Sequence, residues 1–348
     1  MLFSHKILLW YAQNKRTLPW RGSRDPYKIW LSEIMLQQTK VAQGTPYYLK
    51  FVTTFPTVYD LASAPKEEVL KLWQGLGYYS RARNLHEAAK TVVSDYNGVF
   101  PETYKELKKL KGIGDYTASA IASICFDAPE AVVDGNVYRV LSRYFGVDIP
   151  INSTKGIAYF KKLAKELIDK KNIRDYNQGI MEFGALQCTP KKPKCTNCPL
   201  QDGCIALQKD RVALLPVKLK KTKVKKRYFN YVVPISSNET LETYTVLHQR
   251  KGKGIWQDLW QFPLIETETQ ATKKEVKEGV EELLNLNSHF SMYDYKDTIV
   301  HKLSHQQLYT KFWIVETQAT LENGIKATQL EKFPVPVLIA DFIKTFKF

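Results

Sequence analysis

Apolar residues recur at intervals of three and four along the first 210 residues, which is the spacing of one face of an α-helix. Alternation with a period of two is scarce in this part of the chain, and glycines separate the apolar stretches. The pattern predicts an all-α region of short helices joined by tight turns, among them 65–76, 80–96, 104–111, 116–126 and 157–171.

The pattern changes after residue 228. β-Branched and aromatic residues dominate 228–235, 244–250 and 311–315, which predicts strands. Helical spacing between them predicts a helix at 273–284. We therefore expect a multidomain protein, with an all-α domain over 1–210 and a C-terminal α+β domain over 229–348.

The formal charge of +16 is unevenly distributed along the chain. Residues 211–228 carry eight basic and no acidic residues, which predicts an interdomain linker. Residues 1–210 carry a net charge of +10, and the C-terminal domain carries −2. The positive electrostatic field of residues 1–228 favours a polyanion such as a nucleic acid as partner, because phosphates that are neutralised by basic side chains release their condensed counterions. Charge alone leaves open a basic protein without such a partner.

Four of the five cysteines lie within seventeen residues at the spacing C-x6-C-x2-C-x5-C. A compact thiolate quartet holds either a tetrahedral zinc ion or an iron–sulfur cluster. Zinc knuckles usually have two CxxC pairs, whereas this chain has one pair and two outlying cysteines. The spacing resembles the cluster loop of the endonuclease III and MutY branches of DNA glycosylases, which implies an iron–sulfur cluster. The ligands are Cys188, Cys195, Cys198 and Cys204.

The remaining cysteine, Cys125, lies in an apolar helical stretch and is expected to be an inert core thiol. This cysteine usage indicates a reducing compartment. The N-terminus lacks the pattern of a signal peptide, and no stretch approaches the length of a membrane span. We expect a cytoplasmic protein without membrane contact, associated with the nucleoid if the source is bacterial.

Two helical patterns at 107–121 are separated by Gly112-Ile113-Gly114. Glycines permit a sharp turn whose backbone N–H groups, at the start of a helix, can bind a phosphate. This signal is weak alone, and a purely structural turn fits equally well. Asp134 follows twenty residues later, between an apolar pair and a glycine, where a carboxylate is also a common helix cap.

Glu33 lies in an apolar stretch, and its neighbours at helical spacing are Ile29, Trp30, Leu36 and Gln37. Desolvation in such surroundings raises the pKa of a carboxyl group, which suits a general acid near neutral pH. The alternative is a surface glutamate at the mouth of a cleft.

The hairpin, Asp134 and the cysteine quartet, in this order, resemble the helix-hairpin-helix DNA glycosylases of the endonuclease III and MutY branches. The segment around Glu33, with Leu18-Pro19-Trp20-Arg21 before it and Gln37-Gln38-Thr39 after it, resembles the MutY branch of adenine glycosylases. The resemblance covers nearly the whole chain. It implies a helix-hairpin-helix glycosylase domain whose four cysteines hold a [4Fe-4S] cluster.

The resemblance also implies catalytic roles. Glu33 would protonate the adenine leaving group at N7, and Asp134 would stabilise positive charge on the sugar, with Asn136 orienting that carboxylate or the incoming water. Tyr116 stands where the endonuclease III branch has its nucleophilic lysine. We therefore expect a monofunctional glycosylase in which Tyr116 supports Asp134, although the many other lysines leave weak strand cleavage open.

Further residues are implied as contacts to the substrate and the DNA. Arg16, Trp20, Glu33 and Tyr116 would build the adenine pocket, and Arg21 would contact the substrate or the DNA. Gly112 and Gly114 would bind a phosphate. Gln38 and Tyr78 match residues that enter the duplex where the adenine leaves it.

The segments 253–263 and 301–305 resemble the Nudix-like domain of MutY, which implies that Ser304 and His305 bind 8-oxoguanine opposite the adenine. Leu303 replaces the usual phenylalanine, which puts the strength of lesion preference in doubt. A true Nudix hydrolase is the rival interpretation. Residues 277–282 mimic the core of its metal box, but Pro263, Leu284 and Thr269 replace box residues, so we expect the glutamates to line an exposed helix face.

The expected partner is double-stranded DNA with adenine opposite 8-oxoguanine or guanine, and the expected state is a monomer. Two alternatives stay open. One is an endonuclease III-type pyrimidine-lesion glycosylase with lyase activity, which Tyr116 and the C-terminal domain disfavour. The other is a catalytically silent lesion-binding protein, which the presence of Glu33 and Asp134 disfavours.

Overall fold

The computed structural model describes residues 2–219, 224–237, 242–284 and 290–348. The chain divides into two compact units. The first comprises Met1–Ala64 with Arg83–Lys220, and the second comprises Pro65–Ala82 with Lys221–Phe348. The short segment Pro65–Ala82, which the helical pattern assigns to the N-terminal region, is thus grouped with the C-terminal part of the chain.

Residues 2–219 contain twelve α-helices and one short 3-10 turn at Gln201–Gly203. The helices are α1 Phe3–Asn14, α2 Pro26–Leu36, α3 Val41–Thr54, α4 Val58–Ser63, α5 Lys66–Leu72, α6 Ser80–Tyr96, α7 Tyr104–Leu107, α8 Asp115–Phe126, α9 Gly135–Tyr144, α10 Thr154–Leu167, α11 Ile173–Leu186 and α12 Ile205–Gln208. The predicted all-α region is confirmed.

The helix bounds differ from the predictions mainly where capping decides them. Helix α6 has the predicted bounds, whereas α10 begins earlier than predicted, because the Ser153 side chain caps it by accepting from the Gly156 N–H. Helix α5 ends at Leu72, ahead of a turn in which Gly75 and Gly77 have φ angles of +94° and +76°. Such angles end a helix and favour glycine.

Three helix starts place the candidate residues of the first unit. Helix α2 begins at Pro26, after Asp25, whose side chain accepts from the Tyr27 N–H. Helix α8 follows the hairpin, in which Gly112 has a φ of +82°. Helix α9 is capped by Asp134.

Helix α11 packs against α1, α8 and α9, and α2 packs against α3 and α8. Trp30, Phe51 and Phe183 are among the buried side chains of this core. Full burial of a large apolar side chain stabilises a fold by about 2–3 kcal/mol. The helices that carry the candidate residues are therefore fixed by the core.

From residue 224 onward, the described part of the second unit contains eight strands, two α-helices and a 3-10 turn at Ala327–Lys332. The elements are β1 Lys225–Ser237, β2 Thr243–Thr245, β3 His248–Gln249, β4 Trp260–Gln261, β5 Leu264–Thr267, α13 Lys273–Leu284, β6 Phe290–Lys302, β7 Gln306–Thr317, β8 Ile325–Lys326 and α14 Val337–Thr345. The expected α+β class is confirmed, and α13 has the predicted bounds.

The main sheet has the order β6-β7-β1-β2-β8, and β5 also pairs with β1. Strands β1 and β7 are parallel, with Tyr231 opposite Phe312, whereas β6 and β7 form an antiparallel pair with a register shift between Tyr295 and Ile299. A second, two-stranded sheet consists of β3 and β4. Its separate pairing explains why the predicted strand 244–250 is divided into β2 and β3.

Helix α13 packs Val276 and Val280 into a core with Val232 and Trp313 of the sheet. Elsewhere in the unit, the Phe342 ring of α14 stacks on Phe312 at a centroid distance of 4.1 Å. The sheet therefore has buried aliphatic and aromatic contacts to both helices.

The expected linker 211–228 is ordered at both described ends. Arg143 Nε donates to the Leu215 carbonyl at 3.1 Å, and the Ile151 N–H donates to the Val217 carbonyl at 3.0 Å. From Lys225 the chain already belongs to β1. Residues 220–223, the middle of the basic run, lie outside the described residues. Across the described chain, no helix combines the length and the apolar character that crossing a bilayer requires.

Candidate active site and cluster loop

A cavity of about 1070 Å³ in the first unit brings most of the predicted site residues together. Helices α2, α8, α9 and α11 all contribute to its lining. The predicted residues that line it are Arg16, Trp20, Arg21, Glu33, Gln38, Gly114, Tyr116, Asp134 and Asn136. Trp20 is buried, and its ring meets that of Tyr48 edge-on at 5.0 Å.

Glu33 is 9% exposed, so the expectation of an apolar, desolvated setting agrees with the structure. Its Oε2 accepts a hydrogen bond from the Tyr116 hydroxyl at 2.6 Å. Burial raises the pKa of Glu33 to about 7, with the Tyr116 hydrogen bond and Arg21 opposing the shift and Asp134 adding to it. A carboxyl group with this pKa can donate a proton at neutral pH.

Asp134 caps α9 and lines the cavity at the same time. Its Oδ1 accepts from the backbone N–H groups of Asn136 at 2.9 Å and Val137 at 2.8 Å. Its Oδ2 accepts from the Asn136 side-chain amide at 2.7 Å. Burial raises the pKa of Asp134, and these hydrogen bonds oppose that rise. The capping and functional interpretations of this residue are thus compatible.

A run of hydrogen bonds links Asp134 to the cysteine loop through Asn136 and Arg139. Arg139 Nη2 donates to Asn136 Oδ1 at 2.8 Å, and Arg139 Nε donates to the Cys188 carbonyl at 2.7 Å. Gly184 packs tightly here, since a Cβ at this position would lie 2.6 Å from Asn136 Cβ. Asp134 is therefore connected to the cysteine loop through two side chains.

Glu182 of α11 is a cavity residue that the sequence reasoning missed. It is 1% exposed and accepts from Arg16 Nε and Arg21 Nη2, each at 2.7 Å. Burial opposes ionisation, but the hydrogen bond from Arg16 and the charge of Arg21 lower the pKa of Glu182 overall. Arg16 and Arg21, predicted only as contacts to the substrate or the DNA, are thus held by a buried carboxylate.

Met181 and Gln178, on the same helix, were missed as well. The Tyr11 hydroxyl donates to Gln178 Oε1 at 2.9 Å, and the Tyr116 hydroxyl lies 3.2 Å from Met181 Sδ. The available signal was a glutamate at 182 within an apolar helical stretch, the same signal that identified Glu33.

The hairpin exposes Gly112 and Gly114, and nothing lies within 4 Å of a Cβ built at Gly114. Asp115, the first residue of α8, accepts from the Tyr104 hydroxyl at 2.6 Å and pairs with Lys108 Nζ at 2.5 Å. Hydrogen bonds from Lys108 and Tyr104 lower the pKa of Asp115 to about 2. The hairpin therefore has an accessible backbone at Gly114 and an ion pair between Lys108 and Asp115 beside it.

Cys188, Cys195, Cys198 and Cys204 line a second, small cavity together with Arg143, whose Nη1 lies 3.4 Å from Cys188 Sγ. Burial raises the pKa of Cys198 to about 11. In the described part of the chain, no three or more His, Cys, Asp or Glu side chains are placed to share a single metal ion. Four converging thiols and a guanidinium nonetheless fit an iron–sulfur group, which binds thiolates and tolerates hydrogen bonds to sulfur.

Tyr78, Ser304 and His305 belong to the second unit. The Tyr78 hydroxyl lies 2.5 Å from Ser304 Oγ, and all three side chains are exposed. Tyr78 has a φ of +47°, and Gln38 in the first unit has a φ of +54°. A left-handed backbone at a non-glycine residue is uncommon and often marks a functional position.

The glutamates of the degraded Nudix box lie on α13. Glu278, Glu281 and Glu282 are exposed, whereas Val276 and Val280 of the same helix are buried. This arrangement agrees with the prediction of a solvated helix face.

Three family models match the chain. One for the "HhH-GPD superfamily base excision DNA repair protein" matches residues 31–170, and one for the "NUDIX domain" matches 239–345. The "Iron-sulfur binding domain of endonuclease III" matches 188–204, the segment of the four cysteines. The fold class and the iron–sulfur assignment are thereby confirmed.

Curated relatives named adenine DNA glycosylase match along the chain. One from Buchnera aphidicola (subsp. Baizongia pistaciae) is 35% identical over 337 residues, covering 94% of this chain and 90% of that protein. The Homo sapiens protein is 46% identical over 216 residues, covering 60% of this chain and 40% of its own length. The chain thus spans less than half of this human relative.

Solved structures resemble the glycosylase part. A thermostable thymine-DNA glycosylase has a TM-score of 0.56 and 34% identity, over 60% of this chain and 95% of its own. A non-covalent endonuclease III–DNA complex has a TM-score of 0.51 and 25% identity, over 60% of this chain and 99% of its own. Together with the Buchnera relative, which matches nearly end to end, these findings establish that the chain belongs to the adenine DNA glycosylase family.

Proposed function

We propose that this protein is a monofunctional glycosylase that removes adenine mispaired with 8-oxoguanine or guanine and leaves an abasic site. The observation that carries the proposal is Glu33, a buried carboxyl group with a pKa of about 7 in a cavity shared with Asp134. The relatives named adenine DNA glycosylase support the choice of base. The structural neighbour in complex with DNA supports the choice of polymer.

The reaction begins with an adenine turned out of the duplex into the cavity. Glu33, protonated in part at neutral pH, donates its proton to a ring nitrogen of the base. The protonated base is a better leaving group, so the glycosidic bond breaks with positive charge developing on the sugar. General acid catalysis of this kind contributes about 10²- to 10⁴-fold to a rate.

Asp134 stabilises the developing positive charge as a fixed carboxylate. Its two backbone hydrogen bonds and the Asn136 amide hold it in place, so it need not reorganise as the charge appears. Water then adds to the sugar, with Asn136 orienting the carboxylate or that water.

Tyr116 supports a monofunctional reaction, because its hydroxyl occupies the position beside Glu33 where a nucleophilic amine would form a Schiff base. The cavity lining does include a lysine, Lys40, which is exposed. Lys40 is therefore the residue to replace if strand cleavage is observed without alkali.

The second unit supplies lesion recognition in this proposal. Ser304 and His305 are exposed and carry hydrogen-bonding groups, and the contact between Ser304 and Tyr78 joins two segments assigned to the duplex. The four cysteines would hold the cluster, which supplies a rigid centre for the loop 188–204. We expect the chain to act as a monomer, in the compartment that contains the DNA.

Single-turnover cleavage of a labelled duplex with adenine opposite 8-oxoguanine tests the proposal. Samples are quenched with and without hot alkali, and a matched duplex with thymine opposite adenine serves as control. Strand breaks that appear only after alkali are expected. Equal breaks without alkali, lost in Lys40→Ala, would instead identify a lyase. Absence of breaks from protein with an intact cluster would reject the glycosylase, and retained lesion binding would then indicate a silent binding protein.

A further inference from the structure

The Tyr116 hydroxyl has one hydrogen and two acceptors in the cavity. Glu33 Oε2 lies 2.6 Å from the hydroxyl oxygen, and Met181 Sδ lies 3.2 Å from it. The first distance is that of a strong O–H···O bond, and a thioether is a weak acceptor. The two acceptors compete for the same hydrogen, so their relative strength decides where it points.

Protonation of Glu33 on Oε2 decides this competition. Ionised Glu33 accepts only, so Tyr116 donates to it. Once Oε2 carries a proton, the carboxyl group becomes the donor and the Tyr116 oxygen becomes its acceptor. The hydroxyl hydrogen must then turn away from Glu33, and Met181 Sδ is within its reach. Tyr116 is half-buried, and a hydroxyl in such a position gains from an acceptor in the cavity wall, so this second acceptor stabilises the protonated pair.

From this geometry we propose that Met181 is a positioning residue for the general acid: its sulfur accepts the Tyr116 hydroxyl hydrogen when Glu33 is protonated on Oε2. The proposal rests on the proposed function, in which Glu33 is the acid. It assigns the thioether a hydrogen-bonding role beyond filling the wall of the cavity.

Other charged groups near Glu33 do not change in the tests below. Asp134 at the start of α9 and Arg21 before α2 act on its charge directly. Glu182 beside Met181 is bound by Arg16 and Arg21, and Asp115 and Arg139 line the same cavity. If only the Met181 sulfur is removed and the titration midpoint of Glu33 shifts, the shift therefore reports on the loss of this acceptor.

Met181→Leu removes the acceptor at nearly constant volume. We expect the titration midpoint of Glu33 to fall by about half a pH unit, which lowers the single-turnover rate roughly threefold at pH 8 and leaves it unchanged on the acidic plateau. Met181→Gln, which restores an acceptor, should recover the rate at pH 8. Met35→Leu, the same change at a buried position in α2, is the matched control and should leave the profile unchanged.

The titration is also measured without catalysis, by difference infrared spectroscopy of the carboxyl C=O stretch assigned with Glu33→Gln. The expected midpoint is lower in Met181→Leu than in the wild-type protein, and equal in Tyr116→Phe with and without Met181→Leu. An unchanged midpoint in Met181→Leu, or a rate loss equal at every pH, would overturn the proposal. A wild-type protein that titrates as expected but releases no adenine would reject the proposed function instead.

Discussion

Two walls of one cavity carry buried glutamates with opposite character. On α2, Glu33 faces the Tyr116 hydroxyl, and burial raises its pKa to about 7. On α11, Glu182 is bound by two arginines, and its pKa is lowered although only 1% of the residue is exposed. The contrast teaches that burial alone does not decide protonation, because a bound cation reverses its effect.

The same contrast indicates different roles for Glu33 and Glu182. A carboxyl group that is partly protonated at neutral pH can deliver a proton, whereas one that is ionised at that pH binds its cations. Glu182 therefore fixes Arg16 and Arg21 in the pocket wall, and Glu33 is left to react. The first three predictions below test the two sides of this comparison, and the fourth tests a paired carboxylate on the surface, Asp115.

The largest effect is expected from Glu33→Gln. The amide keeps the shape and an acceptor for Tyr116 but cannot donate a proton as an acid. Single-turnover adenine release should fall by about 10²- to 10⁴-fold, while the dissociation constant for the mismatched duplex stays close to that of the wild-type protein. Unchanged adenine release would remove Glu33 from the mechanism.

Glu182→Gln should act on stability. The Glu182 carboxylate is 1% exposed, and its partners Arg16 and Arg21 are 35% and 17% exposed. Because the partners are partly exposed, we expect the free energy of unfolding to fall by about 2 kcal/mol, less than on breaking a fully buried ion pair. Because the folded pKa is lowered, the contribution is complete above the unfolded value and disappears as the pH falls through the folded one. Urea unfolding at pH 7 and pH 3.5 measures the size of this contribution and its dependence on pH. Glu102→Gln, at an exposed position, is the control. A loss of equal size at both pH values would show that charge is not its source.

Stability should respond in the opposite direction at Glu33. A raised carboxyl pKa means that ionisation destabilises the folded state as the pH rises from about 4.5 towards about 7. Glu33→Gln should therefore increase the free energy of unfolding at pH 8 by about 1–2 kcal/mol and change it little at pH 4. Destabilisation at pH 8 would mean that Glu33 has a cation partner after all.

The smallest effect is expected at the hairpin, where Asp115 binds Lys108 and, at 3.6 Å, Lys161 on the surface. In Asp115→Asn, Lys108 and Lys161 lose their anionic partner and can pair with a DNA phosphate instead. Non-specific DNA affinity should rise a few-fold, and the slope of log K against log salt should become steeper by about one. Glu102→Gln, which removes the same charge elsewhere, should leave the slope nearly unchanged. Equal slopes in both variants would mean that these lysines do not contact DNA.

Much of the site could be predicted because its signals are local in the sequence. Glu33 among apolar neighbours and four cysteines in a short loop are visible without a fold. The resemblance to the glycosylases implies a pocket that includes Glu33 and Tyr116, and in the structure both line one cavity together with Asp134.

What could not be predicted depends on contacts between distant segments. Glu182 meets Arg16 and Met181 meets Tyr116 only because α11 packs against α1 and α8. Strand β6 escaped prediction because its edge position exposes Asp294 and Asp297 within a strand of mixed polarity. The grouping of Pro65–Ala82 with the second unit likewise has no local signal.

The most direct test of the central claim is the pH dependence of single-turnover adenine release by the wild-type protein, from pH 5.5 to 9. If Glu33 is the acid, the rate should fall about tenfold per pH unit above an apparent pKa near 7. A rate that stays constant to pH 9 would contradict the account, because the proton would then come from another group.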